Sequence, residues 1–189
     1  FITYESIGAT AAQDLLSKAG IALAVSTVLI LIYIVIRFTP TAAFAAVLAL
    51  IHDVIVMFAL TVICRVQINS SFVAAMITII AYSINNTIVI FDRIRENAKK
   101  LSPDMPRVDV VNRSVQECLG RTINTTLTTL ITIVLLYILG VDSIREFALP
   151  IIVGLLSGVY SANMINGYVW AFLEEKRKAR KAAPKTKTA

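Results

Sequence analysis

Charge-free runs constrain this chain more than any other feature of its sequence. Between Lys18 and Arg37 lie 18 uncharged residues, and between Arg65 and Asp92 lie 26. Arg121 to Asp142 encloses 20, and Glu146 to Glu174 encloses 27. Arg37 to Arg65 encloses 27, broken only by Asp53. A helix crosses a bilayer core with about 20 apolar residues. All five runs meet or nearly meet that length.

Helix is the only state that suits such runs. Backbone groups facing lipid must be paired within their own segment, and the period-2 alternation of barrel strands is absent. We expect helices at 15–38, 41–64, 71–93, 113–139 and 147–172, the fourth with a start at Arg107 as the alternative, giving an all-α membrane bundle. A cytoplasmic loop at 94–112 and a basic cytoplasmic tail at 173–189 complete the expected plan. The hydrophobic set makes up 57% and charged residues 16%. A soluble domain has nearer a quarter charged, so a soluble enzyme is not expected. Disorder over most of the chain is excluded too.

Lys and Arg distribution sets the expected orientation. One side carries Arg37, the bases from Arg93 to Arg113, and those of the tail from Lys176 to Lys187: 14 bases against seven acids. The other side carries three bases, Lys18, Arg65 and Arg145, against four acids. The basic side reads as cytoplasmic, which places the N-terminus outside. The net charge of +6 is therefore topological, and nucleic acid is not an expected partner. The tail suits an anionic lipid surface, each base adding roughly 1 kcal/mol. Residues 1–14 read as the end of an external domain and its junction, with 1–7 as a last strand. A cleaved signal peptide does not fit, because the first apolar core is too long.

Thr39-Pro40-Thr41 reads as a turn with a Thr cap and Pro in the first helical turn. Ser70 or Ser71 is the expected cap of the third helix. Pro150 is expected near a helix start, where its missing N–H is tolerated. Cys64 and Cys118 fall at opposite faces, too far apart for a disulfide. With one His and no CxxC, there is little material for a metal site. No cofactor and no covalent chemistry are expected.

Ionisable residues inside a bilayer are functional candidates by default. Asp53, beside His52, is one; a carboxylate fixed by a neighbouring helix for packing is the plainer account. Tyr82, Asn85 and Asn86 cluster in the third span with Ser83 and Thr87, and Thr78, Tyr82 and Asn85/Asn86 share a face. Interhelical hydrogen bonds, worth about 0.6 kcal/mol each, are the simpler role for them. Arg121 is the second charge within a span. Thr125, Thr128 and Thr132 follow it at helical spacing, with Asn124 alongside. That stripe suits protein or water; a snorkelling Arg is the alternative. Gly154 and Gly158, with Ser157 and Ser161, form a small-residue face suited to close packing. Asp92, Arg93, Arg95 and Glu96 read either as a solvated helix end or as an inner gate held by ion pairs.

Three stretches carry a family resemblance. His52-Asp53-Val54-Ile55-Val56 resembles a signature of the SecF family of protein-export membrane proteins. The run from Tyr82 to Asn97 resembles its next motif. Asn112-Arg113-Ser114 with Arg121-Thr122-Ile123-Asn124-Thr125-Thr126-Leu127-Thr128-Thr129 resembles the following one. Glu5-Ser6-Ile7-Gly8 is similar to the junction leaving the family's external domain. The resemblance covers residues 4–172.

It implies the last five helices of an RND-type membrane protein that pairs with SecD. It also implies work beside the SecYEG channel and SecA, with YajC and YidC nearby, on an exported polypeptide. The implied setting is the bacterial cytoplasmic membrane, and the implied energy source is the proton-motive force. One position departs from the pattern: the family usually has Asp where this chain has Asn86. That carboxylate is associated with proton transfer together with the arginine matching Arg121. Asn cannot titrate. Proton coupling would then use Asp53, an acid of SecD, or water; otherwise the chain is an uncoupled or purely structural scaffold. Half of a small-molecule or lipid exporter of the same superfamily is the third expectation.

Overall fold

The computed structural model describes residues 9–101 and 105–182. The expected strand at 1–7, and the tail beyond Ala182, lie outside the described residues. The elements are α1 (Ala9–Arg37), α2 (Pro40–Ile63), α3 (Ser70–Lys100), α4 (Arg107–Leu139) and α5 (Asp142–Ser161). A π-helical segment, Ala162–Asn166, joins α5 to α6 (Gly167–Ala182). The last three form one continuous rod, so five helical rods are long and apolar enough to cross a membrane. Among the described residues no strand occurs.

The α5 rod is the centre of the bundle and packs against α2, α3 and α4. Its small residues permit close approach. A Cβ placed on Gly154 would lie 2.5 Å from Ile79 Cγ1, so α3 needs glycine at that crossing. One placed on Gly167 would lie 2.6 Å from Val111 Cγ1 of α4. Ala42, Ala43, Ala45, Ala46 and Ala49 give α2 a similarly thin buried face. By contrast α1 is peripheral: of its described side chains only Ile34 is buried. Leu29, Ile32 and Ile36 are exposed apolar surface there, as a lipid-facing helix requires.

The ends of the helices correct several expected boundaries. Thr39 does cap α2, accepting from Ala42 N at 3.3 Å, with Pro40 as first residue. The cap of α3 is Asn69 and not Ser70 or Ser71; its side chain accepts from Phe72 N at 3.1 Å. Asn ranks with Ser as a cap, and one residue upstream it alone has extended backbone. Arg65 has φ 57°, the left-handed turn that commonly follows a helix end.

The loop expected at 94–112 is shorter at both ends, because α3 runs on to Lys100 and α4 begins at Arg107. Pairs one turn apart, Arg93–Glu96 and Glu96–Lys100, support the α3 extension. Buried Ile94 and Asn97 anchor it against the bundle. Helix α5 starts at Asp142, not 147, so Pro150 is buried inside the helix. Helical structure also continues past 172 into the basic segment, to Ala182.

Candidate functional site

Asp53 is the best-organised polar group in the bundle. It lies midway along α2 and is 1% exposed. The Ser83 hydroxyl of α3 donates to Oδ2 at 2.6 Å. The Ser161 hydroxyl donates to the same oxygen at 2.7 Å, and Ser157 donates to Oδ1 at 2.7 Å. His52 Nδ1 lies 3.1 Å from Oδ1, so the tautomer protonated there supplies a fourth bond. Burying a carboxylate is costly unless its oxygens are satisfied; here α3 and α5 provide the donors. His52 is half-buried, and its ring faces Tyr160 with centroids 6.3 Å apart.

Ser157 and Ser161 were legible in the sequence only as small packing residues. Their spacing of four, flanking Gly158, aims both hydroxyls at one point on α2. A mid-span acid in need of donors was the signal that could have found them.

The polar face of α3 divides into two. Ser83, Asn86 and Thr87 are buried, whereas Asn85 and Thr78 are exposed and Tyr82 is half-buried. This corrects the single face expected for Thr78, Tyr82 and Asn85/Asn86: a helix advances 100° per residue, so Asn85 and Asn86 diverge. The Tyr82 hydroxyl donates to Thr126 Oγ1 of α4 at 2.9 Å. Asn86 is 5% exposed, and its Nδ2 has no hydrogen-bond partner among the described residues.

One turn further along, Asn166 Nδ2 of the π segment donates to Thr87 Oγ1 at 2.6 Å. Asn163 Nδ2 donates to the Val159 carbonyl at 2.8 Å. The side-chain oxygens of Asn163 and Asn166 lack partners among the described residues. Extra-residue π turns often occur at functional sites. Neither asparagine was among the expected site residues.

Arg121 lies elsewhere. It is exposed on α4, as are Asn124, Thr125 and Thr128. The stripe therefore faces away from this chain's core, while Thr122 and Thr126 face inward. The threonine hydroxyls are satisfied within the helix. Thr125 donates to the Arg121 carbonyl, Thr128 to that of Asn124 at 3.1 Å, and Thr132 to that of Thr128 at 3.1 Å. Arg121 makes no ion pair among the described residues. It lines a shallow groove with Val89, Asp92, Arg93 and Glu117. No hydrogen bond joins it to Asn86 or Asp53.

The residues from Asp92 to Glu96 tie the basic end together. Arg37 Nη2 of α1 pairs with Asp92 at 3.0 Å. Arg93 reaches Glu96 at 2.5 Å and Glu117 of α4 at 2.6 Å. Arg95 Nη1 reaches the Arg37 carbonyl at 3.5 Å. Glu117, not singled out in the sequence, is the hub, accepting also from Asn97 at 2.7 Å and Arg113 at 3.1 Å. Asn97 donates in addition to buried Ser114 at 3.0 Å. At the other end, Asn69 Nδ2 donates to Glu146 at 2.8 Å. Cys64 is exposed and Cys118 buried, and both are free thiols.

Residues 1–176 match a family described as protein export membrane protein SecD/SecF, C-terminal. The chain is 42% identical over 161 residues to the protein translocase subunit SecF of Sebaldella termitidis, covering 85% of this chain and 52% of the relative. It is 38% identical over 179 residues to the protein translocase subunit SecDF of Thermus thermophilus, covering 95% of this chain and 24% of the relative. A crystal structure of SecDF in a super-membrane-facing form superposes with TM-score 0.84 at 38% identity, over 94% of this chain and 23% of that one. The chain thus spans about half the length of the SecF relative and about a quarter of the SecDF proteins.

Proposed function

The chain belongs to the SecD/SecF C-terminal family, and we propose on that premise that it is the membrane portion of a SecF-type accessory subunit of the Sec protein translocase. It acts with SecD beside the SecYEG channel and SecA, in the bacterial cytoplasmic membrane. It promotes export of a polypeptide by conformational coupling to the proton-motive force and performs no covalent chemistry. Its basic end faces the cytoplasm, following the Lys and Arg asymmetry.

The observation that carries this reading is the outward polar stripe of α4. Arg121, Asn124, Thr125 and Thr128 are exposed on a rod that otherwise spans lipid. Arg121 lies one helical turn beyond Glu117, at the edge of the span, and the polar face it begins runs on through Asn124 into the apolar part of the rod, where it is costly against hydrocarbon. A second membrane unit packed on α4 relieves the cost, and relatives named SecDF carry further chain beyond the part matched here. SecD is therefore the partner of this face. Asn86 has no titrating proton, so the proton path runs through Asp53, an acid of SecD, or water.

Asn86 also favours a second reading: a proton-independent scaffold that holds SecD and the channel together. One experiment separates the two. Force-dependent export is measured in inverted vesicles holding the full-length protein, its SecD and the translocase. The Arg121→Ala, Asp53→Asn and Asn86→Asp variants are compared with the unaltered chain. On the coupled reading, Arg121→Ala loses the stimulation. If Arg121→Ala and Asp53→Asn both retain it, the proton path is wrong and the scaffold reading stands. If stimulation emerges only with Asn86→Asp, the native chain is uncoupled.

A further inference from the structure

A cleft of about 490 Å³ opens at the basic end, where the α1–α2 turn meets the ends of α3, α4 and α6. Its charged wall carries Arg37, Arg95, Lys99 and Arg107. Its apolar wall includes Phe91 and Trp170. Glu174 is the one acid among the described lining residues, and it is already engaged: Thr41 donates to it at 3.0 Å and Arg177 lies at 3.5 Å. Arg37 is neutralised by Asp92. Three cations are left over, since Arg95, Lys99 and Arg107 form no ion pair among the described residues.

Arg107 gives a second, independent sign of a missing ligand. Its Nε is buried and has no hydrogen-bond partner among the described residues. A buried guanidinium N–H without an acceptor is costly, and a planar guanidinium matches a phosphate's oxygens. Arg107 is also the first residue of α4, which begins without a side-chain cap. The amides there favour negative charge.

We propose that this cleft binds the phosphate headgroup of an anionic membrane phospholipid. A phosphate from solution shares the headgroup chemistry, but the walls favour the lipid. Arg37 is the first charge after the 18-residue apolar run of α1, which puts the cleft at headgroup depth. Ile36 on its rim is 81% exposed and continues into the apolar outer face of α1, a track for acyl chains. Trp170, four residues before Glu174 and 8% exposed, lines the cleft from within the bundle. Basic pockets between membrane helices hold anionic headgroups in this manner. The site requires only that the five rods span a bilayer, so it stands or falls apart from the export reading.

The test uses the full-length protein in phosphatidylcholine nanodiscs containing a photoactivatable phosphatidylglycerol, with crosslinks mapped by peptide mass spectrometry. Labelling is expected on the segments holding Phe38, Lys99 and Trp170. Lys99→Gln with Arg107→Gln lowers it, roughly five-fold for each base removed. Lys176→Gln with Lys178→Gln, on the exposed outer part of α6, leaves it unchanged. The charge-keeping pair Lys99→Arg with Arg107→Lys retains most labelling, which separates loss of charge from loss of fold. Crosslinks of the unaltered protein that map elsewhere overturn the site. Equal loss in the α6 control overturns it in favour of diffuse surface attraction. Abolition of labelling by millimolar inorganic phosphate, but not by equal ionic strength of chloride, assigns the cleft to a soluble phosphate instead.

Discussion

The Ser161 hydroxyl points straight at Asp53, donating at 2.7 Å to a carboxylate oxygen that Ser83 also serves at 2.6 Å. Two helices thereby fasten a third through one buried acid. Hydrogen bonds to charged groups are the stronger class, so the node should dominate local stability. Asp53→Asn replaces one acceptor oxygen by a donor facing hydroxyl donors. It should cost about 1–3 kcal/mol. Ser161→Ala, which leaves the other donors in place, should cost about 1 kcal/mol. Thermal denaturation of the detergent-solubilised protein gives the order; a Ser161→Ala loss exceeding that of Asp53→Asn would contradict it.

The two glycines of α5 should respond unequally. A Cβ on Gly154 meets Ile79 Cγ1 at 2.5 Å and Cγ2 at 2.7 Å, near the branch point where the side chain cannot swing clear. On Gly158 the nearest atom is Ser83 Cβ at 3.4 Å, an ordinary contact. Gly154→Ala should cost about 1–3 kcal/mol by overpacking, whereas Gly158→Ala should be near neutral. The same denaturation assay checks this, and a near-neutral Gly154→Ala would show that the α3–α5 crossing is looser than described.

The spans were legible because charge is excluded from lipid, so each gap between charges marks a rod. Rod ends were less legible for the same reason. Beyond the bilayer, helix α3 continues through Arg93–Glu96 and Glu96–Lys100 pairs, and charge no longer signals termination. Asp53 announced itself as a mid-span acid. Ser157 and Ser161 did not, because a small hydroxyl residue suits close packing and donation alike. Helical spacing put Arg121, Thr125 and Thr128 on one face. It could not say whether that face pointed into this bundle or out of it, since that depends on the rest of the assembly.

Because Arg121 is exposed and unpaired among the described residues, its removal should barely touch the fold. Arg121→Gln should change the stability of the isolated subunit by no more than about 0.5 kcal/mol. On the proposed reading, association with SecD should weaken, read as SecD co-purifying with the tagged full-length subunit. A large drop in denaturation temperature with association intact would place Arg121 inside this chain's own network.

Glu117 joins Arg93 and Asn97 of α3 to Arg113 of its own helix. Glu117→Gln removes the charge but keeps the shape. The side chain is 27% exposed, so solvent screens each pair and the loss of global stability should be small. Hydrogen exchange should locate it: amides of Asn97–Lys100 and Val110–Asn112 should exchange faster, while those around Asp53 should not. Uniform acceleration along the whole chain would mean that Glu117 supports the bundle globally.

Asn166 depends on one partner. Its Nδ2 donates to Thr87 Oγ1 at 2.6 Å, and its Oδ1 already lacks an acceptor's partner among the described residues. Thr87→Val keeps the branched shape but leaves the amide with nothing. A buried polar group so orphaned costs about 1–3 kcal/mol. Replacing both partners by apolar groups removes the orphan, so Thr87→Val with Asn166→Leu should recover part of the loss. The double-mutant cycle, read from denaturation, should therefore show a coupling of about 1 kcal/mol or more. Additive losses would show that the two residues do not act as a pair and that the π segment is held by its packing against α2 and α3.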